Sequence, residues 1–207
     1  MTLIDALSSL ATMRVPVFDT GDAAVRLSLT NAHASAVLAR LAAAHHLVRL
    51  RRGIWAFPER VDPLILPGRL TAPLPSYVSL QSALYFHGMI SQVPAVTYAV
   101  SLARARRFET PLGVVSIHHV TPGFFCGFEA TGRQGALIAS PEKALVDFLY
   151  LGPARSNLFR ALPEVELPRR FSARLAHSWT NRIASPRRRT MVARSLDRIL
   201  GSGARRR

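Results

Sequence analysis

The chain has 207 residues, 49% of them apolar and 19% charged, with a formal net charge of +15. That composition can bury a core and predicts one or two folded domains, not a disordered chain. No run approaches the ~18 apolar residues that span a bilayer, Asp5 stands where a secretory leader would be basic, and the lone Cys126 cannot form an internal disulfide or a cysteine-rich zinc site. A cytoplasmic protein without membrane contact is expected, with Cys126 as a small buried hydrophobe.

The positive excess is arginine, 26 residues against the single Lys143, and it is uneven. Residues 1–62 carry seven Arg and five acids (+2), residues 63–150 five Arg, one Lys and four acids (+2), and residues 151–207 fourteen Arg and three acids (+11). A local excess of this size suits a polyanionic partner, and a solvated helical tail is the alternative.

In chain order, Leu3, Ala6, Leu7 and Leu10 predict a short amphipathic helix over residues 2–13. Asp19 or Thr20 caps a second helix reaching Leu27, and Ser28, Leu29 and Thr30 form a turn. A third helix follows over residues 31–44, capped by Thr30 or Asn31, with Ala34, Leu38, Leu41 and His45 as its buried stripe. Residues 47–50 and 54–57 read as strands joined at Arg51-Arg52-Gly53. This order is that of a winged helix-turn-helix and gives a DNA-binding domain over residues 1–62.

In such a domain the third helix enters the major groove. Its outer face is Ala32, Ala36, Ala39 and Ala43, which allows close approach and contact with thymine methyls but supplies few hydrogen bonds. Base reading is therefore assigned to the edges, His33 and Arg40 on one side and Ser35 on the other, with Thr30 and Asn31 near the helix start facing phosphates. Arg49, Arg51 and Arg52 place three cations at or near the hairpin tip, suited to phosphates or a narrow minor groove. Asp5, Asp19, Asp22, Glu59 and Asp62 all lie outside the span from third helix to hairpin, which predicts a polarised surface. The competing reading packs the alanine face against another helix. His45 and His46 stand where such a helix often ends in Gly, and read as helix-end residues, not metal ligands.

Residues 63–76 belong to a proline-rich stretch and read as a semi-rigid linker. A second domain over residues 77–207 follows. In it a strand at 77–79 leads into a helix closed by Gly88, and strands fall at 97–101, 106–109 and 114–120, with 127–131 and 136–139 extending the sheet. Ser140-Pro141-Glu142 opens a helix to Leu151 that buries Ala144, Leu145, Phe148 and Leu149. A helix over 171–183 packs through Leu175 and Trp179, and another runs from Pro186 to Leu200. Arg187, Arg188 and Arg189 sit in its first turn, where the helix dipole disfavours cations, so an external anion or acids from elsewhere in the fold are expected beside them. With Arg194 and Arg198 they are candidate auxiliary phosphate contacts, and Arg205–Arg207 form a frayed basic end. The fold class is α+β: the winged unit, then an α/β domain with a small mixed or antiparallel sheet and terminal helices.

Three blocks together resemble the AbiEi family of abortive-infection antitoxins: Val48-Arg49-Leu50-Arg51-Arg52-Gly53-Ile54-Trp55-Ala56-Phe57, the segment from Tyr77-Val78-Ser79 to His87-Gly88, and Ala139-Ser140-Pro141-Glu142-Lys143-Ala144-Leu145-Val146-Asp147. The likeness spans roughly residues 14–151. It implies a repressor that binds inverted repeats upstream of its own operon, an arrangement that admits a cooperative dimer. It also implies an antitoxin that counteracts a nucleotidyltransferase toxin in phage defence without necessarily touching it. In the family the wing and third helix carry DNA contacts, which map here onto Asn31, His33, Ser35, Arg40, Arg49, Arg51 and Arg52. His46 replaces a helix-ending Gly of the family pattern.

No cofactor or metal is expected, and the chain reads as a non-enzyme. The rival readings are a nuclease-like enzyme and a structured-RNA binder. His118 and His119 are adjacent and on a strand would face opposite ways. Glu142 and Lys143 lack a preceding acid at suitable spacing, which leaves His87, Glu142 and Asp147 as the one conceivable catalytic cluster. The RNA reading lacks interleaved exposed aromatics.

Overall fold

The computed structural model describes residues 1–152 and 164–204, the last three as backbone only; the basic end at 205–207 lies outside the described residues. Thr2 and Asp5 close a reciprocal capping box on α1 (Leu3–Ala11), and Asp19 and Asp22 do the same for α2 (Thr20–Leu27). The Thr30 hydroxyl caps α3 (Asn31–Ala43). Beyond α3, His45 turns into the left-handed region at φ 61° and is exposed, so the buried stripe stops at Leu41. The position that favours glycine is therefore His45, not His46.

A strand absent from the sequence reading, β1 (Val17–Asp19), lies antiparallel to β3 (Ile54–Ala56), which pairs in turn with β2 (Val48–Arg51). Three residues are too few to show a period. Successive side chains of this sheet serve two cores. Phe18 and Trp55 face α1, α2 and α3 with Leu10, Leu38 and Leu41, while Val17, Leu50 and Ala56 join the larger core of the rest of the chain. The Trp55 Nε1–H donates to the Thr20 hydroxyl at 3.0 Å, tying β3 to the start of α2.

Residues 63–76, expected as a semi-rigid linker, contain regular elements. Pro63–Ile65 forms a 3-10 turn, α4 (Leu66–Thr71) follows, and Ile65, Leu66 and Leu70 are buried. Pro58, Pro63 and Pro67 each sit at the start of a helical turn, where a missing N–H costs nothing; prolines so placed begin elements and do not prevent them. Gln134 fastens the segment to the sheet, donating to the Arg60 carbonyl at 2.6 Å and accepting from the Asp62 N–H at 3.1 Å.

The second sheet contains β4 (Ser76–Val78), β5 (Val96–Ser101), β6 (Arg106–Thr110), β7 (Gly113–His119), β8 (Phe128–Thr131) and β9 (Ala136–Ala139), in the order β6-β7-β5-β4-β9-β8. The β4–β9 and β5–β7 pairs are parallel and the others antiparallel, so the sheet is mixed. Ser76 and Val78 face the α4 segment. Tyr77, between them, points the other way onto α6 (Pro141–Leu151). Packed with α6 are α5 (Leu80–Phe86), α7 (Ala173–Thr180) and α8 (Pro186–Ala204). The α+β molecule is therefore layered: α1–α3, the small sheet, α4 and the large sheet, then α6 with α7 and α8.

Two burial expectations change. Ala176 and Thr180, one turn apart, are the buried positions of α7, and Leu175 beside them is 38% exposed. Cys126 is half-buried, its Sγ 3.6 Å from the Phe124 carbonyl. No helix among the described residues is long and apolar enough to cross a membrane.

Candidate nucleic-acid interface

Asn31, Ala32, His33, Ser35, Ala36, Ala39, Arg40 and Ala43 of α3 are all exposed, opposite the buried Ala34, Leu38 and Leu41. Among the described residues no element covers the alanine face, so the helix-packing alternative is not realised among them. Thr30 is exposed as well. Its hydroxyl accepts from the His33 N–H at 3.3 Å and lies 3.3 Å from His33 Nδ1, so Thr30 also positions His33.

The hairpin departs from the simple count of three cations near a tip. Arg49 faces Trp55 and Arg51 faces Ile54, which leaves Leu50 as an extra residue, a β-bulge. Arg49 stays exposed, its guanidinium 5.6 Å from the Trp55 ring centroid. Arg52 is exposed in the turn beside Gly53, whose φ of 79° suits a residue without a side chain. Arg51 shares the side of Ile54, is half-buried, and has a buried Nε with no hydrogen-bond partner. The acids are not all remote either. Asp19 pairs with Ile54, and the Thr20 N–H donates to the Gly53 carbonyl at 3.0 Å, bringing the α2 cap beside the turn. The acid-free surface is that of α3.

On the C-terminal helix, Arg187, Arg194 and Arg198 of α8 are exposed and line a cavity of about 680 Å3. Arg188 and Arg189 are engaged differently from the expectation of free phosphate ligands. Arg188 donates Nε and Nη2 to the Tyr150 carbonyl at 3.1 and 2.8 Å, with its guanidinium 4.3 Å from that ring's centroid. Arg189 donates in the same way to the Ile183 carbonyl at 2.9 and 2.8 Å. Two cations at a helix start are thus offset by carbonyls near the ends of the two preceding helices, where the backbone is partially negative. Neither an external anion nor an acid is required for them.

A buried polar cluster, not evident from the sequence, lies between β4 and α6. Lys143 and Asp147 form an ion pair with both side chains fully buried. Tyr77 and Ser79 donate to the same Asp147 oxygen at 3.0 and 2.7 Å, and Lys143 Nζ also donates to the Tyr77 hydroxyl at 3.0 Å and lies 3.8 Å from the Phe124 ring centroid. Burial raises the Asp147 carboxyl above its ordinary pKa, against the opposing pull of Lys143, Ser79 and Tyr77. Burial, then Asp147, raises the Tyr77 phenol. One signal was available: the only lysine of an arginine-rich chain lies four residues before Asp147 on the same helix. The second and third of the blocks quoted for the AbiEi resemblance meet at this cluster.

His87, Glu142 and Asp147 do not converge. His87 Nε2 lies 2.7 Å from the Ala139 carbonyl, Glu142 accepts from the Ser172 N–H at 2.8 Å, and Asp147 is held by Lys143. His118 lies 3.2 Å from the Ser116 hydroxyl and is made less basic by burial, while His119 Nδ1 lies 3.1 Å from the Ala103 carbonyl. Compared with protein-family models and with curated proteins, the chain matches none.

Proposed function

We propose that the protein is a sequence-specific DNA-binding regulator that works in the cytoplasm as a repressor, without a catalytic step of its own. Residues 1–62 act as a winged helix-turn-helix. α3 enters the major groove, His33, Arg40 and Ser35 meet base edges, and Asn31, Arg49 and Arg52 meet the backbone. The observation that carries this reading is the uncovered α3 surface: a strip of alanine methyls edged by His33, Ser35 and Arg40, with no carboxylate on the helix. Arg51, turned inward by the bulge, supports the hairpin and is not a direct contact.

In line with the AbiEi resemblance, the operator is a pair of inverted repeats before the protein's own operon, bound by two copies. The remainder of the chain opposes a nucleotidyltransferase toxin in phage defence. The test is retention of the promoter duplex in a gel at physiological salt, competed by an unrelated duplex and by tRNA. Selective retention supports the regulator. Equal competition by tRNA, or metal-dependent loss of the duplex, overturns it in favour of an RNA binder or a nuclease.

A further inference from the structure

The basic helix α8 does not lie on the side of the molecule that α3 occupies. The small sheet sends Trp55 and Phe18 toward α1–α3 and Leu50 and Ala56 toward the larger core. The chain leaving that sheet covers the Ser76/Val78 side of the large sheet through α4, and Tyr77 reaches α6 on the opposite side. α8 packs on α6 and α7 through Val192 and Leu196, which are fully buried. α3 and α8 therefore belong to the two outermost layers, separated by both sheets. Both sheets thus stand between a duplex seated on α3 and the α8 surface.

The α8 surface is nevertheless built for phosphates. Arg187, Arg194 and Arg198 fall at i, i+7 and i+11, one face of the helix, and span about 16 Å at 1.5 Å per residue. All three are exposed, and the one ion pair of α8 among the described residues, His177 with Asp197, does not involve them. Thr190 and Ser195 add hydroxyls to the same cavity of about 680 Å3. Arg188 in its wall is fixed on the Tyr150 carbonyl. No aromatic side chain lines the cavity among the described residues, so it offers bases nothing to stack on. A row of cations longer than a compact anion, without stacking surface, matches the backbone of a duplex.

We propose that α8 is a second, sequence-independent duplex-binding site, so that one protein molecule holds two separate duplexes, the operator on α3 and another DNA segment on Arg187, Arg194 and Arg198. The first half of that statement rests on the proposed regulator function; the α8 site does not.

The test uses the full chain saturated with a fluorescent operator duplex, to which an unrelated 20-base-pair duplex carrying a second fluorophore is added. Energy transfer between the two labels reports the ternary complex. With three phosphates neutralised, binding of the second duplex should weaken ~40-fold between 50 and 200 mM salt, from a slope of ~0.9 per phosphate. The variant Arg187→Gln/Arg194→Gln/Arg198→Gln should lose the ternary complex and keep its operator affinity within about twofold. The proposal is overturned by absence of a second duplex at 50 mM salt, or by a variant that loses operator affinity in the one-to-one complex, which would put α8 on the operator itself. Should the operator not be bound selectively at all, the regulator reading fails. Titration of the unrelated duplex into wild type and triple variant then still decides the α8 site, equal affinities overturning it.

Discussion

Replacing Lys143 by Met removes one member of an ion pair whose two side chains are both fully buried. Methionine fills most of the space, so the cost is electrostatic: Asp147 is left charged in a dry site, a change worth about 3–5 kcal/mol. The lower end applies here, because Asp147 keeps the Tyr77 and Ser79 hydroxyls as donors. A loss of about 3 kcal/mol corresponds to a fall in Tm of roughly 6–12 °C for a chain of this size.

Its pH dependence has a definite sign. A carboxyl that binds its proton more tightly in the folded state contributes stability below its ordinary pKa and loses it as pH rises through the folded value. Burial already holds Asp147 above its ordinary value of 3.8, and losing Lys143 raises it further. The deficit of Lys143→Met should therefore be smallest near pH 4 and grow toward neutrality. Urea unfolding of wild type, Lys143→Met, Asp147→Asn and the double variant completes the cycle. Asn keeps an acceptor for Tyr77 and Ser79, so the double variant should cost about 2–3 kcal/mol less than the sum of the singles. Additivity within about 0.5 kcal/mol, or a Lys143→Met deficit independent of pH, would refute a charged pair at this site.

Gly127→Ala should lower stability by about 1–3 kcal/mol in a thermal melt: Gly127 has φ +74°, and a Cβ there would stand 3.0 Å from Lys143 Cγ and 3.1 Å from Trp179 Cε2. For DNA, Arg52→Ala should weaken all duplexes alike and reduce the salt slope by ~1, measured by anisotropy over a salt series. His33→Ala or Arg40→Ala should instead change the ranking of operator variants in a binding-site selection. His118 is made less basic by burial, so its contribution to stability is present above pH 6.5 and lost as pH falls; in urea unfolding at pH 7 and pH 5, His118→Gln should narrow the difference seen for wild type.

Much of the fold was legible because the determining interactions are local. Asp19, Thr30 and Ser140 each cap a helix within three residues of themselves, and the β6–β7 turn closes at Gly113, so these features can be read from a short window. What escaped depends on distant partners. β1 is held by β3, some 35 residues away, and the fixing of residues 60–62 depends on Gln134. The prolines of the middle segment were visible, but whether a proline begins a turn or prevents one depends on the burial of Leu66 and Leu70 behind it. Burial of that kind is a property of the assembled core.

The candidate site divides along the same line. On α3, exposure follows from helical period once Ala34, Leu38 and Leu41 are known to face inward, and the exposed set agrees with the residues singled out from sequence. In the hairpin, period fails. Alternation along β2 would put Arg49 and Arg51 on one face and Leu50 on the other, but a bulge adds a residue without changing composition, and only the pairing of Arg49 with Trp55 and Arg51 with Ile54 reveals it. The consequence is chemical. Arg51 exchanges water for a half-buried position with an unpartnered Nε, while Arg49 and Arg52 stay exposed. Deleting the extra residue, Leu50, would restore alternation and leave Arg51 opposite Ile54, so the facing of Arg51 would be kept. The deletion would, however, empty a position in the larger core: what the extra residue supplies is a hydrophobic anchor.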